Sequence, residues 1–242
     1  MKIAFVNMFY PPHTAQVGFL MEAFVKHMAA RKHRVTVFTG RVDYMDSKAR
    51  APVREVDNLV EIIRVWGTGS SRKNAWTRLL DYGSFFLLLV GNVLKRRDID
   101  VVVCLTAPPL VDVVGWMHRF LYGSKLVLLS LDNHPESLVR MGLCSRDSLR
   151  FRTLYALRRF VAKHSALAIA PDREMVRVLQ DEGYTRTLSL PYWDNPDEYP
   201  DCADEVETFR RQYNWENKFV ALYLGNMGIP HEFETFLEAA CL

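Results

Sequence analysis

Closely spaced cysteines are missing from this chain. Cys104, Cys144, Cys202 and Cys241 stand far apart and form no CxxC, which argues against a zinc knuckle and against a secreted disulfide framework. A reducing compartment is expected. Long apolar runs are missing too: the longest, Phe85 to Leu94, is interrupted by Gly91 and Asn92 and falls well short of the roughly 20 residues that a membrane-spanning helix needs. The opening Met1-Lys2-Ile3-Ala4-Phe5-Val6 lacks both the apolar stretch and the small-residue cleavage site of a secretory signal, so a cytoplasmic protein is expected. There is no GxGxxG, HExxH, GxSxG or Walker loop, and the seven histidines are scattered. Dinucleotide binding is therefore unsupported, and no tightly bound metal is expected. Nor does one sign of charge dominate: 31 basic against 28 acidic side chains leave a net +3. That balance argues only weakly against nucleic acid, and no nucleic-acid partner is expected once the local patches are read.

What is present is a core-forming composition. Of 242 residues, 49% are hydrophobic and 24% charged, enough for one large domain or two small ones. Short β-branched runs alternate with helical stretches from the start, with strands expected at 2–7, 34–39, 60–65, 100–105, 125–130, 166–170 and 187–190 and helices at 17–31, 75–96, 110–122, 147–163 and 173–181. This is an α/β rhythm. Val101-Val102-Val103-Cys104-Leu105 and Leu126-Val127-Leu128-Leu129 are apolar on both faces, as when helices cover a parallel sheet on two sides. A doubly wound parallel sheet is expected over residues 1–195. The proline- and aspartate-rich stretch 191–204 reads as a linker, and 196–217 is assigned to linker and a short helix, 205–213. Phe219-Val220-Ala221-Leu222-Tyr223-Leu224 reads as a strand opening a second α/β unit, 218–242, that is too small to bury a core of its own.

Three loops carry the candidate chemistry. Phe9-Tyr10-Pro11-Pro12-His13-Thr14-Ala15-Gln16-Val17-Gly18 follows the first strand, where open parallel sheets place ligands at strand carboxyl ends. Tyr10 and His13 are its candidate side chains, and Gly18 permits close approach of an anion to the N–H groups of a helix N-terminus. An ordinary proline-rich turn explains the same composition. Thr106-Ala107-Pro108-Pro109 ends another strand, and Thr106 and Pro108 are expected on the same edge. Asp132-Asn133-His134-Pro135-Glu136-Ser137 gathers two acids and an imidazole after a third strand, a grouping suited to acid–base work or hydroxyl binding. A proline at the start of a helix, with Glu136 in its first turn, accounts for part of the motif structurally.

Two stretches combine cations with apolar residues. Arg72, Lys73, Arg78, Lys95, Arg96 and Arg97 surround Trp76, Leu79, Leu80, Tyr82 and Phe85–Val90. Such a pattern fits a helix lying on an anionic membrane, and equally a sheet-covering helix with solvated ends. Arg146, Arg150, Arg152, Arg158, Arg159 and Lys163 form a second basic stretch, suited to a lipid headgroup, phosphate or RNA, or to a solvated helix face.

The order and content of these motifs resemble family 4 glycosyltransferases of the GT-B fold, in particular those of bacterial capsule, colanic-acid and O-antigen assembly. The residues that carry the likeness are Tyr10-Pro11-Pro12 through Gly18, Asp100–Pro109, and Asp132-Asn133-His134-Pro135-Glu136-Ser137, which is similar to a D-L-W-P-E-S signature with Asn133 and His134 departing. Pro191-Tyr192-Trp193 is similar to a P-N-W motif, and Tyr223-Leu224-Gly225-Asn226-Met227-Gly228 through Glu238-Ala239-Ala240 to the start of a donor domain. The resemblance implies two Rossmann-like domains, the second truncated here. It implies a retaining transfer, without a metal or other cofactor, from a UDP- or GDP-sugar to a lipid-linked saccharide at the inner face of the membrane. It further implies Asp132 and His134 as catalytic candidates, Tyr10, His13, Gly18, Thr106, Pro108 and Glu136 on the acceptor side, and Gly18, Gly225, Asn226, Gly228 and His231 toward the donor. A partner supplying the rest of the donor domain is compatible with this reading. Two rivals stay open, a nucleotide-sugar epimerase of the same architecture and a non-catalytic, membrane-bound acceptor-binding module.

Overall fold

Strands with no polar face belong in the middle of a sheet covered on both sides. Lys2–Val6 (β1), Val101–Cys104 (β5) and Lys125–Leu129 (β6) lie there in the computed structural model. The structure describes residues 1–41, 50–67, 75–140, 142, 144–193, 202–225 and 233–241, with only the backbone at 75, 76, 78, 79 and 203. Arg34–Gly40 (β2), Arg54–Asp57 (β3), Val60–Val65 (β4), Leu167–Ala170 (β7) and Thr187–Ser189 (β8) complete one sheet of order β3-β4-β2-β1-β5-β6-β7-β8. Every pairing is parallel except that of β3 with β4. The α/β class expected from the sequence is the one observed. Strand β3 was not expected, because Arg54-Glu55-Val56-Asp57 carries a single apolar residue. Its charges suit an edge that must not pair further, and Arg54 Nη2 reaches Glu61 Oε1 of β4 at 2.6 Å.

The helices of this sheet are Gln16–Ala30 (α1), Ala75–Leu94 (α2), Asp112–Tyr122 (α3), Glu136–Arg140 (α4), Leu149–His164 (α5) and Arg173–Glu182 (α6). Their ends follow ordinary capping chemistry. Ser148 and Asp172 accept the backbone N–H groups of Phe151 and Met175 at the starts of α5 and α6, and left-handed Gly123 and Gly183 close α3 and α6. One core cluster joins Ala4, Val6, Phe38, Val102, Cys104 and Leu126 of the sheet to Phe85 and Leu89 of α2, Val114 of α3 and Val161 of α5. Phe5 points to the other face and meets Phe24 of α1 edge-on at 5.4 Å. Thus α1 covers one face while α2, α3 and α5 cover the other, as right-handed crossovers in opposite directions require.

The chain divides into two compact units, Met1–Tyr192 and Trp193–Leu242. The second holds Ala203–Gln212 (α7) and Glu234–Ala240 (α8), with Phe209, Tyr213 and Trp215 in mutual ring contact. Residues 219–224, expected as a strand, are irregular, with Phe219 and Leu224 exposed. The correction has a simple cause: no other strand is described in that unit to satisfy the backbone groups of a lone one.

Gly115 sets how closely α3 approaches the sheet. A Cβ there would lie 2.9 Å from Cys104 Sγ and closer still to Leu126 Cδ1, whereas one at Gly91 of α2 would meet nothing within 4 Å. Gly115→Val should therefore cost about 1–3 kcal/mol, and Gly91→Ala should stabilise by about 0.5–1 kcal/mol, both read by denaturant unfolding.

Candidate functional site

The strand order reverses between β1 and β5. The chain leaves β1 toward β2 and β4, then returns by α2 to β5 on the opposite side. Loops leaving the carboxyl ends of such a pair diverge to opposite faces and open a crevice, where doubly wound sheets bind ligands. Here the two loops are tied at the base of the crevice by Met8 N donating to Ala107 O at 2.7 Å. Met8 O in turn accepts from Gly40 N and from the Thr39 hydroxyl. Gly40 is required at this junction, because a Cβ would sit 2.8 Å from Met8 O.

In the first loop, Tyr10 and His13 are 4% and 1% exposed. They lie within the packing of the loop and not on its surface: His13 N donates to Tyr10 O, and Tyr10 N to His13 Nδ1 at 3.4 Å. Burial pushes the Tyr10 phenol well up, with Glu22 adding to the effect. From below, buried Arg64 of β4 donates to Pro11 O at 2.7 Å and pairs with Glu55. Gly18 is buried, and a Cβ on it would come within 3.2 Å of the Tyr10 backbone. Its missing side chain therefore serves helix-to-loop packing. The N-cap residue of α1, Ala15, offers no side-chain acceptor, and the Gly18 N–H of the first turn is taken by Ala15 O at 2.8 Å.

The structure brings Thr106, Asp132 and His134 together. Thr106 Oγ1 donates to Asp132 Oδ2 at 3.4 Å, and Ser130 Oγ to Asp132 O at 3.3 Å. The Asp132 carboxylate is exposed above them, and Pro108 is buried. Leu110 holds a left-handed φ of 68° in the second loop, a strained conformation for a γ-branched residue. His134 Nδ1 is 2.6 Å from Ser137 Oγ. Burial pushes its imidazole below the ordinary 6.5, with Asp132 opposing and Arg158 reinforcing. Glu136 is directed elsewhere, to Arg146 at 2.9 Å.

Beneath the loops lies a cavity of about 40 Å³ lined by Thr106, Leu110, Asp112, His134, Leu154 and Arg158, among others, room for a few waters. Asp112, Arg158 and Glu182 were not singled out as a group from the sequence, and Arg158 was read as part of a surface basic stretch. It is 5% exposed and donates from Nε to Glu182 Oε2 at 2.6 Å. The signal was there: Phe151, Leu154, Arg158 and Val161 follow the inward spacing of α5. Burial pushes the Asp112 and Glu182 carboxyls up, with Arg158 opposing in both. A larger, open concavity of about 400 Å³ lies at the amino ends of β1, β2 and β4. It is the poorer candidate, because most of its charged residues are already paired, Lys2 with Asp98 and Glu61 with both Arg54 and Arg96, and only Arg34 stands outside these pairs.

The remaining expected site residues do not belong to these loops. Gly225 is exposed in the second unit, and Asn226, Gly228 and His231 lie outside the described residues, as do Arg72 and Lys73. Trp76 and Arg78 fall on the backbone of α2, and beyond that helix Arg96 is held by Glu61 while Lys95 and Arg97 are exposed. Among the described residues no group of three or more His, Cys, Asp or Glu stands where it would hold a metal ion, and no helix is long and apolar enough to cross a membrane.

An open parallel sheet with loops converging over a strand-order reversal defines a doubly wound α/β ligand-binding domain. Residues 19–193 match the glycosyl transferase 4-like domain, and the chain belongs to that family. It is 30% identical over 157 residues to "Probable glycosyltransferase WbjE" of Pseudomonas aeruginosa, covering 64% of this chain and 39% of that protein. Among solved structures it is similar to HepE of Anabaena in complex with UDP and glucose (17% identity, TM-score 0.54, 90% of this chain and 51% of that one). It is also similar to WaaG, a glycosyltransferase involved in lipopolysaccharide biosynthesis (19% identity, TM-score 0.53, 88% and 51%). The chain thus spans 39% of WbjE and about half of the two solved chains. At these identities the solved structures establish the fold.

Because the His134 imidazole is held below its unfolded value, the folded state binds fewer protons than the unfolded one just below pH 6.5. Stability should therefore fall as pH drops through that window. The loss of Tm between pH 7.5 and 5.5 should be smaller in His134→Gln, as measured by thermal unfolding at both pH values.

Proposed function

We propose that this chain is the acceptor-side portion of a retaining glycosyltransferase that moves a sugar from a nucleoside-diphosphate donor to a lipid-linked saccharide. The observation that carries the reading is the Asp132–His134 loop beside Thr106 at the carboxyl edge of a sheet of this family. WbjE and WaaG are named as glycosyltransferases, WaaG in lipopolysaccharide biosynthesis, and HepE was crystallised with UDP and glucose. Those names favour a UDP-sugar donor and a cell-surface saccharide acceptor. In transfer, an acceptor hydroxyl oxygen bonds to the anomeric carbon as the bond from that carbon to the donor phosphate oxygen breaks. The exposed Asp132 carboxylate orients the hydroxyl and draws on its proton, and burial keeps His134 neutral as a second hydrogen-bonding group. The amino end of α1, where Ala15 supplies no side-chain cap, suits developing negative charge on the departing diphosphate. Gly225, Asn226, Gly228 and His231 are assigned to the donor side.

Peripheral attachment to an anionic inner membrane belongs to the same reading. It is supported by exposed apolar side chains on the helices of one sheet face, Leu87 of α2 at 74%, Phe120 of α3 at 76% and Phe160 of α5 at 41%. Trp116 meets Phe120 and Phe160 at 5.9 and 5.0 Å, and Arg119, Arg159 and Lys163 are exposed on the same helices. Apolar anchors ringed by cations suit a charged bilayer surface.

The direct test is nucleoside diphosphate release from a panel of UDP- and GDP-sugars, with and without polyprenyl-diphosphate-linked sugar, using this chain together with a donor domain of the family. Release that depends on the acceptor and falls about 100-fold or more in Asp132→Asn, with Tm unchanged, is the expected result; acceptor-independent release would support an epimerase instead. Sedimentation with anionic vesicles should retain the wild-type chain and release it at high salt, and Phe120→Ser should weaken retention. Equal recovery with neutral vesicles would return these helices to a solvent-facing role.

A further inference from the structure

Three features of the buried cluster under the crevice have no part in the transfer chemistry above. Arg158 donates from Nε to Glu182 and from Nη2 to Ser130 Oγ at 3.5 Å, and Ser130 Oγ in turn donates a hydrogen bond to Asp132 O. Asp112 Oδ2, Glu182 Oε1 and Tyr184 Oη are buried without a hydrogen-bond partner among the described residues. Asp112, Arg158 and His134 line one cavity. A cation held between two carboxylates in a water-poor site acts over several ångströms on whatever else titrates there.

We propose that Arg158 is a positioning residue of this crevice: its guanidinium holds the Asp132–His134 loop through Ser130 and lines the same cavity as His134, where its charge, tempered by Glu182 and Asp112, adds to the bias against the imidazolium. The inference rests on the reading of that loop as the acceptor site. The fork geometry matters, because one planar group serves Glu182 from Nε and Ser130 from Nη2, which an ammonium cannot do from a single point. The charges around His134 come from every side. Asp132 lies on its own loop and Arg158 on α5, while Asp112 of α3, Glu182 of α6, Tyr184 beyond it, Cys104 of β5 and Glu136 of α4 act on the Arg158 cluster. Asp132 favours the imidazolium and Arg158 opposes it. Neutralising Glu182 should thus expose His134 to more of the Arg158 charge, and removing Arg158 should relieve it. Water in the cavity is the natural partner for Asp112 Oδ2, the oxygen left without a donor.

The test is the imidazole titration of His134 in the whole chain by NMR, assigned by the signal lost in His134→Gln. Glu182→Gln should lower the midpoint and the double variant Arg158→Met/Glu182→Gln should raise it, each by roughly half a unit to one unit. The double variant is used because Arg158→Met alone strands a buried carboxylate and threatens folding. Arg158→Lys should leave the midpoint near that of the wild type yet move the backbone amide signals of residues 131–134. An unmoved midpoint in both folded Glu182 variants, shifts of the same sign, or unmoved amides in Arg158→Lys would overturn the proposal. The titration is read without substrate, so its failure leaves the glycosyl-transfer reading to stand or fall on nucleotide release.

Discussion

Reversal of strand order at β1 and β5 is the constraint from which the carboxyl edge takes its form. A parallel strand needs a crossover to reach its neighbour, and each crossover leaves from the carboxyl end. Where two neighbouring strands send their chains to opposite faces, the ends cannot close over one another. The gap is stabilised here by backbone bonds: Met8 N to Ala107 O across the gap, with Gly40 N and the Thr39 hydroxyl on Met8 O. Apolar packing from α2, α3 and α5 on one side and α1 on the other keeps β1 and β5 in register beneath it.

Buried arginines then hold two of the three loops from below. Arg64 reaches the carbonyl of Pro11 in the first loop, and Arg158 reaches Ser130 and, through it, the Asp132 backbone. Buried ion pairs add little net stability, because desolvation offsets their attraction; removing one partner is what costs heavily, about 3–5 kcal/mol. Their value lies in geometry. A guanidinium fork fixes directions that a proline-rich loop alone leaves open.

Much of this was legible from residue patterns. Apolar runs such as Val101–Leu105 mark central parallel strands, and the parallel order alone puts the proline-bearing loops after β1, β5 and β6 on one edge. The illegible parts share a cause, since they depend on partners distant in the chain. Strand β3 has almost no apolar signal and exists because β4 offers it an edge. Phe219–Leu224 has a strong β signal but no partner strand among the described residues of its unit. Arg158 sits in a run of surface-like cations, and only its helical phase and Glu182, 24 residues away, make it internal. Tyr10 and His13 looked like exposed loop chemistry, but the turn folds them into the packing.

The proposed ligand site lies at the carboxyl edge, at the reversal between β1 and β5, and not in the larger concavity at the amino edge. Backbone amide shift mapping of the chain with a short-chain polyprenyl-diphosphate-linked monosaccharide in micelles, referenced to empty micelles, separates the two. Shifts gathered in residues 8–14, 106–110 and 131–136 are predicted. Shifts centred instead on Lys2, Arg34 and Asn58, which line the amino-edge concavity, would contradict it.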